Sequence, residues 1–304
     1  MDLQTWREQG DMIDIAGDEL FLVDRPARSA ENGPPVLVIH GFPTSSVDWA
    51  PVLDSLSSKR RVVLFDLPGF GLSAKPDRRY GIHQAADAVA GVVEHLGLAA
   101  FDLVTHDMGD TVGGEVLARD LEGNLGVAGK RVEIRRRVVT NGSIYLELAN
   151  LTPGQQMLWG ADDARLPEEL TPAVDALHRS LLDTMAPADS PASNPDDGDV
   201  RAAAEGVCHN DGASLLPRLI RYLDDRRDDE ARFTGAIESH PSPLGIVWGD
   251  LDPIAVIAMA HRLAEHRDDA TLIELTGVGH YPMVEQPNAF AEAVVSLLDG
   301  EPRR

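Results

Sequence analysis

Cysteine is all but missing: Cys208 is the single one in 304 residues. That excludes an intramolecular disulfide and any zinc site built on several cysteines, and it suits a reducing compartment. Lysine is confined to Lys59, Lys75 and Lys130. Positive charge as a whole is thin, with 27 Lys and Arg against 50 Asp and Glu, a formal net charge of −23. A surface that negative repels phosphate backbones and anionic lipid, so neither nucleic acid nor a membrane surface is an expected partner. No apolar run approaches the ~18 residues of a membrane span. Met1 to Gly17 lacks the basic and apolar stretches of a secretory leader. These absences predict a soluble, cytoplasmic protein. What is present is ordinary for a globular chain: 43% hydrophobic and 25% charged residues, in a length that suits one large α/β domain or a core with an insertion.

Short apolar runs alternate with helical patterns in the first half. Leu20–Val23, Val36–His40, Val62–Asp66, Leu103–Thr105 and Val138–Thr140 read as strands. Val47–Leu56, His83–Leu96 and Asp110–Leu121 read as helices; Ala86, Val89, Val92, Val93 and Leu96 recur at the spacing of one helical face. Buried strands alternating with such helices predict a mostly parallel sheet covered on both faces. Asp11–Ile15 and Glu19–Val23 flank Ala16-Gly17-Asp18 as a hairpin. The alternation stops after Asn141. Up to about His240 only helical pieces occur, Gln155–Trp159, Pro172–Asp183 and Leu215–Asp225, with a Pro-, Asp- and Ser-rich stretch from Ala186 to Asp199 that reads as a mobile loop. Strands at Leu244–Trp248 and Thr271–Glu274, with helices at Val256–Ala264 and Phe290–Leu298, then resume the pattern. The predicted organisation is a core of residues 1–142 and 241–304 with a helical insertion, 143–240.

Ligands of open parallel sheets bind beyond the carboxyl ends of the strands. The residues there are His40-Gly41-Phe42-Pro43, Asp66-Leu67-Pro68-Gly69, His106-Asp107-Met108-Gly109-Asp110, Gly249-Asp250-Leu251-Asp252-Pro253 and Gly277-Val278-Gly279-His280-Tyr281-Pro282. Together they resemble the α/β-hydrolase superfamily over nearly the whole chain. Thr105-His106-Asp107-Met108-Gly109 is similar to its nucleophile elbow, with Asp107 where serine is usual. Within the superfamily the Asp elbow and His-Gly-Phe-Pro resemble epoxide hydrolases and dehalogenases. The fuller wording, His40 to Ser46, Asp107 to Asp110, Asn210-Asp211-Gly212 and His280-Tyr281-Pro282, looks most like the mesoderm-specific-transcript branch of epoxide-hydrolase-like proteins. The resemblance implies an α/β-hydrolase fold, an eight-stranded, mostly parallel sheet with helices on both faces and an inserted helical lid.

Chemistry follows from the residue types. An aspartate is already anionic at neutral pH and needs no base to become a nucleophile. It attacks esters poorly, because the anhydride collapses back, but it can attack a strained or activated sp³ carbon. Asp107 therefore selects epoxides and alkyl halides, giving an alkyl ester on the enzyme. Hydrolysis of that ester needs an activated water, the role of His280, with Asp252 accepting its other ring N–H. Asp250 follows the same strand; the family pattern Gly-x-x-Asp-Pro favours Asp252. The resemblance further implies backbone N–H groups of Phe42 and Met108 as oxyanion donors and a cis peptide before Pro43. His106 beside Asp107 has no third ligand in sequence, so no metal is expected, and no cofactor is implied.

The leaving group separates the two reactions. An epoxide oxygen wants an O–H donor and a halide wants N–H donors. The halide-binding positions of dehalogenases hold Phe42 and Met108 here. Tyr222, shortly before Asp252, occupies the place of a ring-opening tyrosine in epoxide hydrolases, and Tyr145 is the candidate for the second. His40, Pro43, His106, Trp49 and Trp159 are further candidate pocket residues. The expected function is an epoxide hydrolase acting on a small apolar electrophile and water. A dehalogenase on the same Asp–His–Asp set, or a binding protein that keeps the hydrolase shell, remains the alternative. The sequence leaves a homodimer open.

Overall fold

Runs of branched and leucine side chains, each closed by Gly, Pro or Asp, build the strands. The computed structural model describes residues 1–29 and 33–300. Its strands are β1 (Asp11–Ile15), β2 (Asp18–Arg25), β3 (Val36–Ile39), β4 (Val62–Phe65), β5 (Ala100–His106), β6 (Gly126–Val127), β7 (Lys130–Arg131), β8 (Glu133–Thr140), β9 (Leu244–Gly249) and β10 (Thr271–Leu275). Eight of them form one sheet in the order β1-β2-β4-β3-β5-β8-β9-β10; β6 and β7 pair separately. The first hairpin turns on Ala16 and Gly17, both with positive φ, 55° and 92°, the twist that matches paired strands. β1–β2 and β2–β4 are antiparallel and the remaining neighbours parallel.

β3 and β4 are buried at every residue. Burial of each Val, Leu or Ile there contributes roughly 1.5–3 kcal/mol, which is why these short strands need no propensity beyond their branched side chains. β3 lies between β4 and β5, so the chain leaves it toward one edge and later returns on the other side. That reversal opens a crevice at the carboxyl ends of β3 and β5, where His40-Gly41-Phe42 and Asp107 stand.

The helix Ile82–His95 buries Ala86, Val89, Val92 and Val93. The helix Met108–Leu121 leaves β5 through Asp107 and is buried along most of its length. Between β8 and β9 the chain is helical, with Pro153–Gly160, Val174–Leu182, Asp197–Cys208, Leu216–Leu219 and Tyr222–Ser239 as its main pieces. Two of these differ from the sequence expectation. Asp197–Cys208 overlaps the expected loop only up to Asp199 and continues where no element is expected, and Tyr222–Ser239 runs well past Asp225. The first buries a face of Val200, Ala203, Ala204 and Val207, whereas the second is polar and held by tertiary contacts: Arg232 pairs with Glu115 and Glu122 on the helix Met108–Leu121.

The Ala186–Asp199 stretch is also corrected, since it is tied down rather than free. Ala186 N–H and the Ser193 hydroxyl donate to Glu285 Oε2 at 2.9 and 2.8 Å, and Ser190 donates to the Gly277 carbonyl at 2.6 Å. Among the described residues no helix is long and apolar enough to cross a membrane.

Candidate active site

Asp107 occupies the turn between β5 and its helix, at φ 51° and ψ −120°. This positive φ is strained for a residue with a side chain. Small neighbours make the turn feasible. A Cβ on Gly109 would stand 2.4 Å from the Ile39 carbonyl oxygen, and one on Gly41 would stand 2.5 Å from Asp107 Cβ. Glycine at 41 therefore lets the Phe42 backbone reach the carboxylate, and Phe42 N–H donates to Asp107 Oδ2 at 2.8 Å. Met108 N–H, at the helix N-terminus, donates to the same carboxyl group. The Phe42–Pro43 peptide bond is cis.

The other carboxylate oxygen, Asp107 Oδ1, lies 3.8 Å from His280 Nε2. On the opposite side of the ring, Nδ1 is 2.8 Å from Asp252 Oδ2. Asp252 is itself fixed: its Oδ1 accepts from the Ile254 and Ala255 N–H groups at 2.7 and 3.0 Å, and Asn141 Nδ2 donates to Oδ2 at 2.7 Å. Asp107, Asp252 and His280 are all buried. Asp250 instead accepts from Gly277 N–H at 2.7 Å and does not meet the imidazole. The structure thus brings Asp107, His280 and Asp252 together in one row.

Burial would depress His280, but Asp252 and then Asp107 outweigh it and hold it up at about 9. Burial pushes the Asp107 carboxyl up, against the pull of His280 and of the Met108 and Phe42 N–H groups. Both carboxylates thus favour imidazolium, and removing the charge of one would release the proton.

An apolar cavity of about 80 Å³ opens beside this row, lined by Phe42, Leu158, Leu177, Leu181, Leu216 and Ile254, with His280, Pro43 and Tyr281 also at its wall. Tyr222 is buried at the start of its helix. Its ring lies 5.8 Å from that of Phe42, and it lines a smaller neighbouring cavity with Met108. Burial first, and the Asp107 charge second, raise its hydroxyl above the ordinary tyrosine range, so it stays protonated. The hydroxyl has no hydrogen-bond partner among the described residues.

Four expected pocket residues are placed elsewhere. Tyr145 donates to Glu238 at 2.8 Å and stacks on His266, which commits its hydroxyl away from Asp107. Trp159 donates its indole N–H to Asp224 at 3.0 Å. Trp49 is fully buried against Phe290, because a large flat apolar side chain fills the core beneath the loop rather than the cavity. His40 bridges the Gly41 carbonyl and the Leu67 N–H, at 2.9 Å each, and pins the ends of β3 and β4. His106 does contact the row, but as a brace: its Nε2 meets the His280 carbonyl at 2.8 Å, and burial keeps it neutral.

Two residues had no role in the sequence reading. Asn141 orients Asp252. Glu285 accepts from Gly279 and Tyr281 N–H at 2.9 and 3.0 Å and so brackets His280. A glutamate four residues after Tyr281, behind Pro282, was its only signal. Among the described residues no group of three or more His, Cys, Asp or Glu is arranged to hold a metal ion.

Comparison with known proteins agrees with the fold. A family model described as "Alpha/beta hydrolase family" matches residues 36–293. The protein LipZ of Mycobacterium tuberculosis is 37% identical over 300 residues, covering 97% of this chain and 98% of that one. The human mesoderm-specific transcript homolog protein is 28% identical over 305 residues, covering 98% and 88%. Among solved structures, a meta-cleavage product hydrolase of Pseudomonas fluorescens superposes with a TM-score of 0.73 at 22% identity, covering 97% and 99%. An enol-lactonase of Burkholderia xenovorans gives 0.70 at 21% identity, covering 95% and 99%. The sheet order, the helices on its two faces and the family match lead to one conclusion: this chain belongs to the α/β-hydrolase family.

Proposed function

We propose that this hydrolase opens an epoxide to a vicinal diol through a covalent ester on Asp107. The observation that carries the reading is the division of labour on that carboxylate. Oδ2 accepts from the Phe42 N–H, with the Met108 N–H also serving the carboxyl group, while Oδ1 is left toward His280. In the first step Oδ1 attacks an epoxide carbon, the C–O bond breaks, and the oxygen takes the Tyr222 proton. Alkylation removes the Asp107 charge, so His280 loses one of its anionic neighbours and passes its proton, through solvent, to the Tyr222 phenolate. Neutral His280 then deprotonates a water that attacks the Asp107 carboxyl carbon. The oxyanion forms on Oδ2, against the Phe42 and Met108 N–H groups, where losing one donor typically costs roughly 10²–10³ in rate. Collapse releases the diol and restores the carboxylate. The proton taken from water stays on His280 and restores the imidazolium, so the sum is epoxide plus water.

The helices between residues 143 and 240 serve as the cap that supplies Tyr222 and the apolar wall. A halide would need N–H donors at the site; the Trp159 indole N–H is taken by Asp224 and neither tryptophan lines the cavity, which favours the epoxide. The test is diol formation from small apolar epoxides in ¹⁸O water, first under single turnover and then under repeated turnover. With Asp107 supplying the oxygen, the first diol carries none of the label and later ones do. Label in the first diol would mean direct attack by water, and no diol from any epoxide, with halide released from haloalkanes, would transfer the reading to a dehalogenase.

A further inference from the structure

Arg226 is a buried guanidinium without a carboxylate in salt-bridge reach among the described residues. Its Nε and Nη2 donate only to the Thr111 hydroxyl, at 3.2 and 3.0 Å. Its Cζ lies 5.2 Å from the centre of the Tyr222 ring, one helical turn earlier. A buried charge is costly unless something compensates it. Two carboxyl groups are close enough to interact with it electrostatically, Asp107 and Asp110. Asp110 is the poorer anion of the two, whereas Asp107 accepts the Phe42 N–H. It accepts the Thr105 hydroxyl on Oδ1, its Oδ2 is buried without a partner, and burial raises its carboxyl well above the ordinary value. That favours Asp107. Thr111 sits on the first turn of the helix that Asp107 opens, so the guanidinium is bolted to the nucleophile's own element.

We propose that Arg226 is a positioning residue for the nucleophile: fixed on Thr111 and stacked on Tyr222, it is the standing counter-charge that keeps Asp107 anionic. The proposal rests on the reading of Asp107 as nucleophile. Its value shows in the charge state of the whole site. The titratable groups facing Asp107 are His40, Asp48, Asp110, Tyr222, His280 and Tyr281. Burial lowers His40 and raises the two tyrosines and Asp110, and it pushes Asp48 up to about 8. Each of these shifts favours the uncharged form. The positive charges near Asp107 are then His280 and Arg226. His280 must become neutral to act as a base, whereas a guanidinium keeps its charge. Arg226 alone therefore persists through both steps, beside the carboxylate that attacks and later beside the oxyanion on Oδ2.

The experiment compares Arg226→Met, which keeps the length and the packing on Tyr222, with Arg226→Lys, which keeps the charge. In the unliganded protein, infrared spectroscopy follows the C=O band of a protonated carboxyl across pH, assigned to Asp107 by its loss in Asp107→Ala. In a His280→Gln background, mass spectrometry follows alkylation of Asp107 by a small epoxide. Arg226→Met is expected to move Asp107 ionisation to higher pH by about one unit or more, a tenfold change or greater in its proton affinity, and Arg226→Lys to recover most of it. Alkylation at neutral pH falls in parallel. A folded Arg226→Met whose Asp107 ionises where the parent's does overturns the proposal. If Arg226→Met does not fold, Arg226→Gln against Arg226→Lys makes the same comparison. A shifted ionisation with no alkylation in the parent background either would defeat the epoxide reading and leave the counter-charge standing.

Discussion

Replacing Asp107 with Asn keeps the shape of the elbow and removes one of the two carboxylates that flank His280. The distance is 3.8 Å between Oδ1 and Nε2. Two unit charges about 4 Å apart interact by roughly 4 kcal/mol at an effective dielectric near 20, equivalent to at most about 3 pH units. Asp252 stays in place at 2.8 Å and keeps part of the support. His280, held up at about 9 in the parent, is therefore expected to fall by about 2 pH units in Asp107→Asn. The assay is long-range ¹H–¹⁵N NMR of ¹⁵N-histidine protein across pH, with His280 assigned through His280→Gln. The variant imitates the alkylated state, in which Asp107 is also uncharged, so the same number states how far ester formation turns imidazolium into a base. Stability should carry the signature too. His280 is raised above its ordinary 6.5, so its contribution to folding is complete below about 6.5 and is lost as pH climbs through 9. Asp107→Asn should flatten that loss. A His280 that titrates within about half a pH unit of the parent in the variant would refute the coupling.

Tyr222→Phe should slow the ring-opening step by about 10²-fold or more, with little change in thermal midpoint, because its hydroxyl has no hydrogen-bond partner among the described residues; rapid-quench product analysis and calorimetry check the two halves. Asp252→Asn should leave alkylation largely intact but slow hydrolysis by about 10³–10⁴, since the imidazole loses its orienting acceptor. Its ester should then accumulate and be visible by mass under turnover. Tyr145→Phe should leave turnover unchanged and lower stability by about 1 kcal/mol in chemical denaturation, the worth of one hydrogen bond, because its hydroxyl serves Glu238.

Some of this molecule was plain in its residues and some was not. Strands such as Val36–Ile39 and Val62–Phe65 are readable because they are buried on both faces, so their composition has one cause. Asp107 is legible because the strand ending in Asp-Met-Gly comes with His40-Gly41-Phe42-Pro43 upstream and Asp252 and His280 downstream in one order. Asp252 and His280 follow strand ends and are met there, against a carboxylate and each other. The helix Tyr222–Ser239 was cut short in the sequence reading because its polar run, Asp224 to Arg232, lacks an apolar face. Its order comes from partners such as Glu115, Glu122 and Thr111, distant in sequence. Trp49, Trp159 and Tyr145 were assigned to the pocket on size and chemical type. Their direction depends on which neighbour, Phe290, Asp224 or Glu238, takes the other end. Arg226 gave no signal, since in a stretch crowded with Arg and Asp only burial distinguishes it.

On the proposed mechanism the Asp107 carboxylate becomes a covalent ester that His280 is needed to hydrolyse. Intact-mass spectrometry of His280→Gln incubated with a small apolar epoxide tests it directly. The expected result is a mass gain equal to the epoxide, mapped to the peptide carrying Asp107 and absent from the Asp107→Ala, His280→Gln double variant. Folded protein that gains no mass while the parent makes diol, or a gain that survives the loss of Asp107, would contradict it.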